Sequence, residues 1–300
     1  MAIPTVSYEN AIRFISGSLV HCTSEAICWN DHTRFDYWAV WHNQDNYAFH
    51  FGYYSPHVRE HHHALTNSNK VLADIARVQS GDRVLDAGCG LGGSSFWLAT
   101  HRRAEVVGIT PVPHQITKAR KIARSRSLDS LVQFYLADYT RMPVSSEFFD
   151  VVWALESLCH APDKSAFYRE AARVLRPGGR LIVAEYIRAA RDLDRETEVL
   201  MSEWFDGWSI PDLDTRDEHL MAIAGAGFRD IRFSDNTTAI GPSGRRLYKL
   251  ARALGPANRM LHCLGLRTDA QHGNVLASLR QYQLLRSGAW FYGIISAVKR

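Results

Sequence analysis

The sequence predicts an α/β fold, a mostly parallel sheet covered by helices on both faces, and three observations carry that expectation. From about Ser80 onward, short apolar runs with strand character alternate with helical patterns. The first run ends in a glycine-rich turn, "VLDAGCGLGG" from Val84 to Gly93, that opens a helix. A chain of 300 residues with 46% hydrophobic and 22% charged residues can bury one large core, and its composition is that of an ordinary globular protein.

Strands fall at "RVLDA", "EVVGI", "VQFYLA", "FDVVWAL" and "GRLIVAEY", with helices between them at "GSSFWLATH", "PHQITKARKIARSR" and "DKSAFYREAARVL". "LRPGG" stops the last of these helices, because Pro177 cannot continue it and Gly178 and Gly179 turn easily. After Tyr186 a polar, charged stretch leads to a helix at "DEHLMAIAGAGF" and a strand at "RDIRFS". The final strand is "AWFYGIISAV". Between Ile240 and Gly288 an insertion rich in Leu and Arg reads as amphipathic helix broken near Gly255 and Pro256. The simplest organisation is a single domain: residues 1–79 an N-terminal helical lid, 80–239 a cofactor-binding core, 240–288 a helical cap, 289–300 the last strand.

Several classes are disfavoured. A formal charge of +4 from 35 basic and 31 acidic residues, without a long like-charge block, gives no nucleic-acid surface. Five cysteines, Cys22, Cys28, Cys89, Cys159 and Cys263, form no C-x-x-C pair and fit a reducing, cytoplasmic compartment. The N-terminus has no basic start followed by an apolar run, and no stretch approaches the ~20 apolar residues of a membrane span.

Gly88, Gly90 and Gly93 satisfy G-x-G-x-x-G, so an NAD-type oxidoreductase is one reading of the turn. Charge favours another. Asp86, at the strand's end, would repel a pyrophosphate but attract a cationic ligand bearing an ammonium, such as S-adenosylmethionine. A dinucleotide site also wants an acid at the end of the second strand. Here that strand ends at Thr110, Glu105 stands at its wrong end, and Thr110 with Gln115 offers a ribose neutral hydrogen bonds. After the third strand, Asp138 can accept a bond from an adenine amine, with Tyr139 beside it to stack on the ring.

From about Phe49 to Asp235 these residues resemble class I S-adenosylmethionine-dependent methyltransferases. Within that family "WALESLCHAP", Trp153 to Pro162, resembles a signature of sterol side-chain methyltransferases. "VVGIT" followed by Gln115 resembles tocopherol methyltransferases and, further off, mycolic-acid cyclopropane synthases. The aromatic entry motif of the sterol enzymes is present in part, as "FHFGYY". The resemblance implies a Rossmann-like sheet of seven strands with the last antiparallel, and cofactor contacts at Asp86, Gly88, Gly90, Thr110, Gln115, Asp138 and Tyr139. It also implies that "YAFHFGYY", with His50 and Tyr54, closes over the methionine end.

The sulfonium is already activated, so the protein mainly has to align a nucleophile and exclude water. Trp29, Phe35, Tyr37, Trp38, Trp41, Tyr47, Phe49, Phe51, Tyr53 and Tyr54 crowd the N-terminal region. Aromatic faces suit a sulfonium, and equally a carbocation formed when an alkene takes the methyl group. Trp38 and Trp41, three apart, also read as ordinary core. The acceptor expected is therefore small and largely apolar, methylated at carbon of an isoprenoid-like or aromatic natural product. Nitrogen or oxygen methylation of another metabolite is the alternative, and a cofactor-binding protein without catalysis a third reading.

Glu156 and His160 follow the fourth strand and so face the same end of the sheet as the glycine turn. His160 is the candidate base; Glu156 is placed to orient the acceptor or balance a developing cation. "REHHHA" invites a metal, with His57 and His61 four apart, but three consecutive histidines diverge on a helix and no metal set is expected. Arg245, Arg246, Lys249, Arg252, Arg259 and Arg267 lie among leucines in the cap, whose default is a solvated lid; a segment of this kind can also lie on an anionic membrane.

Overall fold

The computed structural model describes residues 46–300. Trp29, Phe35, Tyr37, Trp38 and Trp41, and the first part of the expected lid, lie outside the described residues.

Seven strands form one sheet in the order β3-β2-β1-β4-β5-β7-β6. They are β1 Arg83–Ala87, β2 Glu105–Thr110, β3 Val132–Leu136, β4 Phe149–Leu155, β5 Leu175–Arg188, β6 Phe228–Asp235 and β7 Trp290–Lys299. The pairs from β3 through β5 are parallel, and β7 runs antiparallel to both β5 and β6. The central strands are buried on both faces, which is why they read as unbroken apolar runs such as "FDVVWAL". Reversal of chain order between β2-β3 and β4 opens a crevice at the C-terminal end of β1, where the glycine turn sits.

The described helices are α1 His61–Ile75, α2 Gly93–Arg102, α3 Pro113–Ser125, α4 Lys164–Val174, α5 Arg195–Trp208, α6 Arg216–Gly225, α7 Thr237–Cys263 and α8 Asp269–Ser287. Three differ from the sequence expectation. The helix ending at "LRPGG" stops earlier, at Val174, because Leu175 already pairs with Phe149 and begins β5. The polar stretch after Tyr186 contains α5, which Asp194 caps through the Thr197 amide at 2.9 Å. The cap does not break at Gly255 and Pro256: α7 runs through both and ends before Gly265, whose φ is +69°. Proline removes a backbone hydrogen bond, but α8 braces α7 on both sides of it. Tyr248 packs on Tyr282 at 5.0 Å before Pro256, and beyond it Asn258 meets His272 at 2.9 Å and His262 meets Asp269 at 2.8 Å.

Helices α5 and α8 cross where Gly207 lies on Gly273. A Cβ built on Gly207 would meet the Gly273 carbonyl oxygen at 2.4 Å and the Ala277 Cβ at 2.8 Å. Gly207→Ala is therefore expected to force the helices apart and to lower stability by about 1–3 kcal/mol, measured by denaturant unfolding. An unchanged midpoint would refute this account of the crossing.

Candidate active site

The crevice is built from the ends of successive strands. Asp86 on β1 pairs in register with Gly108 on β2 and Trp153 on β4, which places its carboxylate centrally and out of water. Its partners are the Ser95 hydroxyl, donating at 2.6 Å, and the Ser95 amide. Burial exceeds what those bonds return, so the carboxyl is pushed up to about 6. A carboxylate short of donors suits a cationic group.

The turn after β1 is held close by the turn after β4. Ser157 donates through its hydroxyl to the Ala87 carbonyl at 2.7 Å, and a Cβ built on Gly88 would fall 2.3 Å from the Ser157 Cβ. With φ at +89°, Gly88 is needed both for the turn and for this approach. Gly90 faces Phe49 across the turn. At the first turn of α2 the carbonyl oxygens of Asn46 and Tyr47 lie 2.4 and 2.8 Å from where a Gly93 side chain would begin. Those carbonyls bring partial negative charge close to the first residue of α2, which is unfavourable for a pyrophosphate there.

Thr110 donates to Gln115 Oε1 at 2.8 Å, joining the end of β2 to the start of α3. Asp138 uses Oδ1 for the Thr140 amide and hydroxyl, at 2.7 and 2.8 Å, leaving Oδ2 without a hydrogen bond from the described residues. Tyr139 does not present its ring as expected. The ring is buried edge-to-face on Phe167 at 5.7 Å and its hydroxyl donates to the Ser157 carbonyl at 2.8 Å, so it belongs to the core, and an adenine would have to displace that packing to stack on it.

The segment "YAFHFGYY" lies over these loops. His50 is buried and its Nδ1–H donates to the Phe51 carbonyl at 2.9 Å, which makes Nε2 a bare acceptor, buried and unpartnered. Burial pulls its pKa down to about 4. The Tyr54 hydroxyl meets His61 Nδ1 at 3.1 Å, and the segment is tied to α7 by the Gly52 amide donating to Ser243 Oγ at 3.0 Å and the Tyr54 amide donating to the Ala239 carbonyl at 2.9 Å. Of the "REHHHA" histidines, His61 turns inward while His57, His62 and His63 are exposed. Among the described residues no group of three or more His, Cys, Asp or Glu side chains is disposed to hold a metal.

Glu156 is a second desolvated carboxyl at this end of the sheet. It follows β4 in a left-handed conformation, φ +49°, which a non-glycine residue adopts at a cost of about 1–2 kcal/mol. Its Oε1 accepts from the Phe51 amide and the Tyr292 hydroxyl, each at 2.8 Å, and its Oε2 accepts from the Tyr186 hydroxyl at 2.5 Å. Desolvation nevertheless pushes the carboxyl up to about 8. Around it Tyr186 meets Phe51, Trp204, Trp208, Trp290 and Tyr292 at ring separations of 5.9, 5.7, 6.4, 5.3 and 6.2 Å.

The sequence reading missed this box. Among the described residues the aromatic rings around Glu156 come from Phe51 and from β5, α5 and β7, while Trp29, Phe35, Tyr37, Trp38 and Trp41 lie outside the described residues. The signals existed: an antiparallel last strand brings its first residues, Trp290 and Tyr292, to the ligand end of the sheet, and Met201, Trp204 and Trp208 follow a helical stripe. Glu185 was also missed. It is fully buried, accepts from the Cys159 amide at 2.9 Å, and is pushed up to about 7 by burial. Through that bond it fixes the turn Leu158–His160, where the His160 Nδ1–H donates to the Ser209 carbonyl at 3.3 Å and burial lowers the imidazole's pKa.

These shifts set a pH dependence of stability. Glu156 and Glu185 are raised from 4.5, so the folded state holds their protons longer, and the stability they contribute, full below about 4.5, is lost as pH rises through 7 to 8. His50 and His61 near 4 and His219 near 3 are lowered from 6.5, so their contribution is present above 6.5 and lost as pH falls through 4 to 3. Glu156→Gln is expected to flatten the alkaline limb alone, read as Tm against pH; an unchanged limb would contradict the burial of an ionisable carboxyl there.

Comparison with known proteins agrees with this geometry. A methyltransferase-domain family model matches residues 85–183. The chain is 30% identical over 192 residues to 24-methylenesterol C-methyltransferase 3 of Arabidopsis thaliana, covering 63% of this chain and 53% of that protein. It is 40% identical over 138 residues to 27-O-demethylrifamycin SV methyltransferase of Amycolatopsis mediterranei, covering 46% of this chain and 51% of that protein. The match thus spans about half the length of these relatives. The fold superposes on the [4+2]-cyclase SpnF with a TM-score of 0.77 at 22% identity, over 94% of this chain and 97% of that one. The methyltransferase-domain match runs through β1 to β5, the strands that lead to Asp86, the glycine turn, Thr110 and Glu156, so the part of the chain that builds the crevice is the part similar to a methyltransferase domain.

Proposed function

We propose that the protein transfers a methyl group from S-adenosylmethionine to a small, largely apolar acceptor, at carbon of an isoprenoid-like or aromatic natural product. The observation that carries this reading is Glu156, a single carboxylate set in a box of Phe51, Tyr186, Trp204, Trp208, Trp290 and Tyr292. Such a box offers an apolar acceptor little hydrogen bonding but stabilises positive charge, through aromatic faces at roughly 0.5–2 kcal/mol each and through the anion. The relative that acts on a sterol carbon, by its name, fits the same chemistry.

When bound, S-adenosylmethionine supplies an electrophilic methyl group on a sulfonium. Asp86 and His50 Nε2 would take its ammonium, Thr110 and Gln115 its ribose, and Asp138 Oδ2 its adenine amine. Attack of an alkene carbon on that methyl group, with the sulfur leaving as a neutral thioether, would put positive charge on the neighbouring carbon; Glu156, in its ionised form, would balance that charge and take up the proton whose loss restores the double bond. The segment around His50 and Tyr54 excludes water. We place the activity in the cytoplasm, where the free thiols Cys89, Cys159 and Cys263 stay reduced.

A second reading, oxygen or nitrogen methylation, draws on His160. With Nδ1 donating to Ser209, Nε2 is its basic nitrogen, and burial keeps the ring neutral and fit to take a proton from a hydroxyl or amine. The relative named for a 27-O position keeps that chemistry open. Incubation with methyl-labelled cofactor and an apolar metabolite extract, followed by NMR of the product, tests both. A label in a new carbon-carbon bond supports the first reading and a label on oxygen or nitrogen the second. His160→Ala should leave cofactor affinity intact, and a large fall in turnover is expected only for heteroatom methylation. Stabilisation by NAD and none by S-adenosylmethionine in a thermal-shift comparison would defeat both.

A further inference from the structure

Helix α7 has a division of faces that the methyl-transfer chemistry does not use. At about 100° per residue, Ile240, Leu247, Ala251 and Asn258 share one side, and all are buried. On the opposite side Arg245, Lys249, Arg252 and Arg259 are exposed and fall within about 80° of one another. Met260 and Cys263 continue that exposed stripe toward the turn into α8. There the surface becomes apolar: Met260 is 59% exposed, Leu264 64% and Leu266 70%, and the last two are, with Met221, the most exposed large hydrophobic side chains among the described residues. No Asp or Glu occurs between Asp235 and Asp269, an interval that holds Arg245, Arg246, Lys249, Arg252, Arg259 and Arg267.

A solvated lid explains the cations but not the leucines. Large apolar side chains projecting from a turn cost solvation unless something covers them. An acid-free, cationic flank selects a negatively charged cover, and a row of basic residues leading to an apolar tip matches a bilayer with anionic headgroups over an acyl interior. No helix among the described residues is long and apolar enough to cross a membrane, so the contact is interfacial. We propose that the α7–α8 tip is a docking surface for anionic lipid: Leu264, Leu266 and Met260 enter the headgroup boundary while Arg252 and Arg259 pair with lipid phosphates. The helix is about 40 Å long, and its other end is bonded to the segment over the cofactor crevice through Ala239 and Ser243. Docking therefore leaves the crevice within reach of the membrane without burying it. The inference stands on this surface alone and does not depend on the acceptor's identity.

The test is flotation of the full chain with phosphatidylcholine vesicles containing or lacking phosphatidylglycerol. Co-flotation with the anionic vesicles only is expected, falling severalfold as salt rises from ~0.1 to ~0.5 M. The pair Leu264→Glu and Leu266→Glu should reduce it at least tenfold, as should Arg252→Gln with Arg259→Gln. Both pairs lie on exposed positions, and an unchanged melting temperature verifies their folding. No flotation with anionic vesicles at low salt, equal flotation with neutral ones, or indifference to either pair of substitutions overturns the proposal. Light scattering that shows a dimer converted to monomer by the leucine pair also overturns it and assigns the surface to a second copy of the chain.

Discussion

Glu156→Gln is expected to lower kcat by about 10²–10⁴-fold while leaving the affinity for S-adenosylmethionine within a few fold. The substitution keeps the volume, and its one carbonyl oxygen can still accept from Tyr292 and the Phe51 amide, while its amide nitrogen would donate to the Tyr186 hydroxyl instead of accepting from it, so what it removes is the negative charge and the proton-accepting oxygen. The carboxyl stands near 8 because burial outweighs its three donors. The pH profile of kcat/KM, which reports the free enzyme, should therefore rise with pH to a plateau above about 8. A bound sulfonium stabilises the ionised form, so the kcat profile should rise at lower pH. Steady-state kinetics of wild type and variant across that range, with calorimetry for the cofactor, check both statements. A variant that retains wild-type kcat would exclude Glu156 from the chemistry.

Gly88→Ala is expected to weaken cofactor binding at least tenfold, with a fall in Tm. Its Cβ would stand 2.3 Å from that of Ser157, closer than atoms of a folded chain approach, and an alanine at φ +89° adds strain of its own. Relief must come from separating the turns after β1 and β4, which breaks the 2.7 Å bond from Ser157 to Ala87 and shifts Glu156, the residue beside it. Adding Ser157→Gly should restore part of the affinity, because it removes the clash but neither the φ strain nor the loss of that bond. Isothermal titration of Gly88→Ala, of Ser157→Gly alone and of the double variant separates the contributions. Full affinity in Gly88→Ala alone would mean that the two turns do not need to touch.

Both predictions depend on contacts that lie outside any local motif. At the glycine turn, the pattern in Val84 to Gly93 falls at the C-terminal end of β1, where the sheet opens its crevice, and Asp86 is buried beside it. What the pattern cannot give is why Gly88 must be glycine, since the atom it avoids belongs to Ser157, sixty-nine positions away in the chain. Tyr139 shows the converse limit. Beside an acid at a strand end it reads as a ring awaiting a base, but Phe167 on α4 claims that ring for the core. Helix α5 was hidden because its first turns are charged, and only packing on α8 through Gly207 and Gly273 makes its Trp204 and Trp208 part of a wall.

The sequence by itself determined the α/β alternation, the strand that ends in the glycine turn, and the placing of Glu156 with that turn at one end of the sheet. These follow from periodicity and from charge at strand ends, which are local properties of the chain. Only the tertiary structure decided that Glu156 would be held by Tyr186 and Tyr292, that α7 would run unbroken past Pro256, and that Trp204, Trp208 and Trp290 would gather around Tyr186. Each of these depends on side chains far apart in sequence meeting at van der Waals or hydrogen-bond distance. Burial, which lifts Glu156 to about 8, exists only once those side chains have packed.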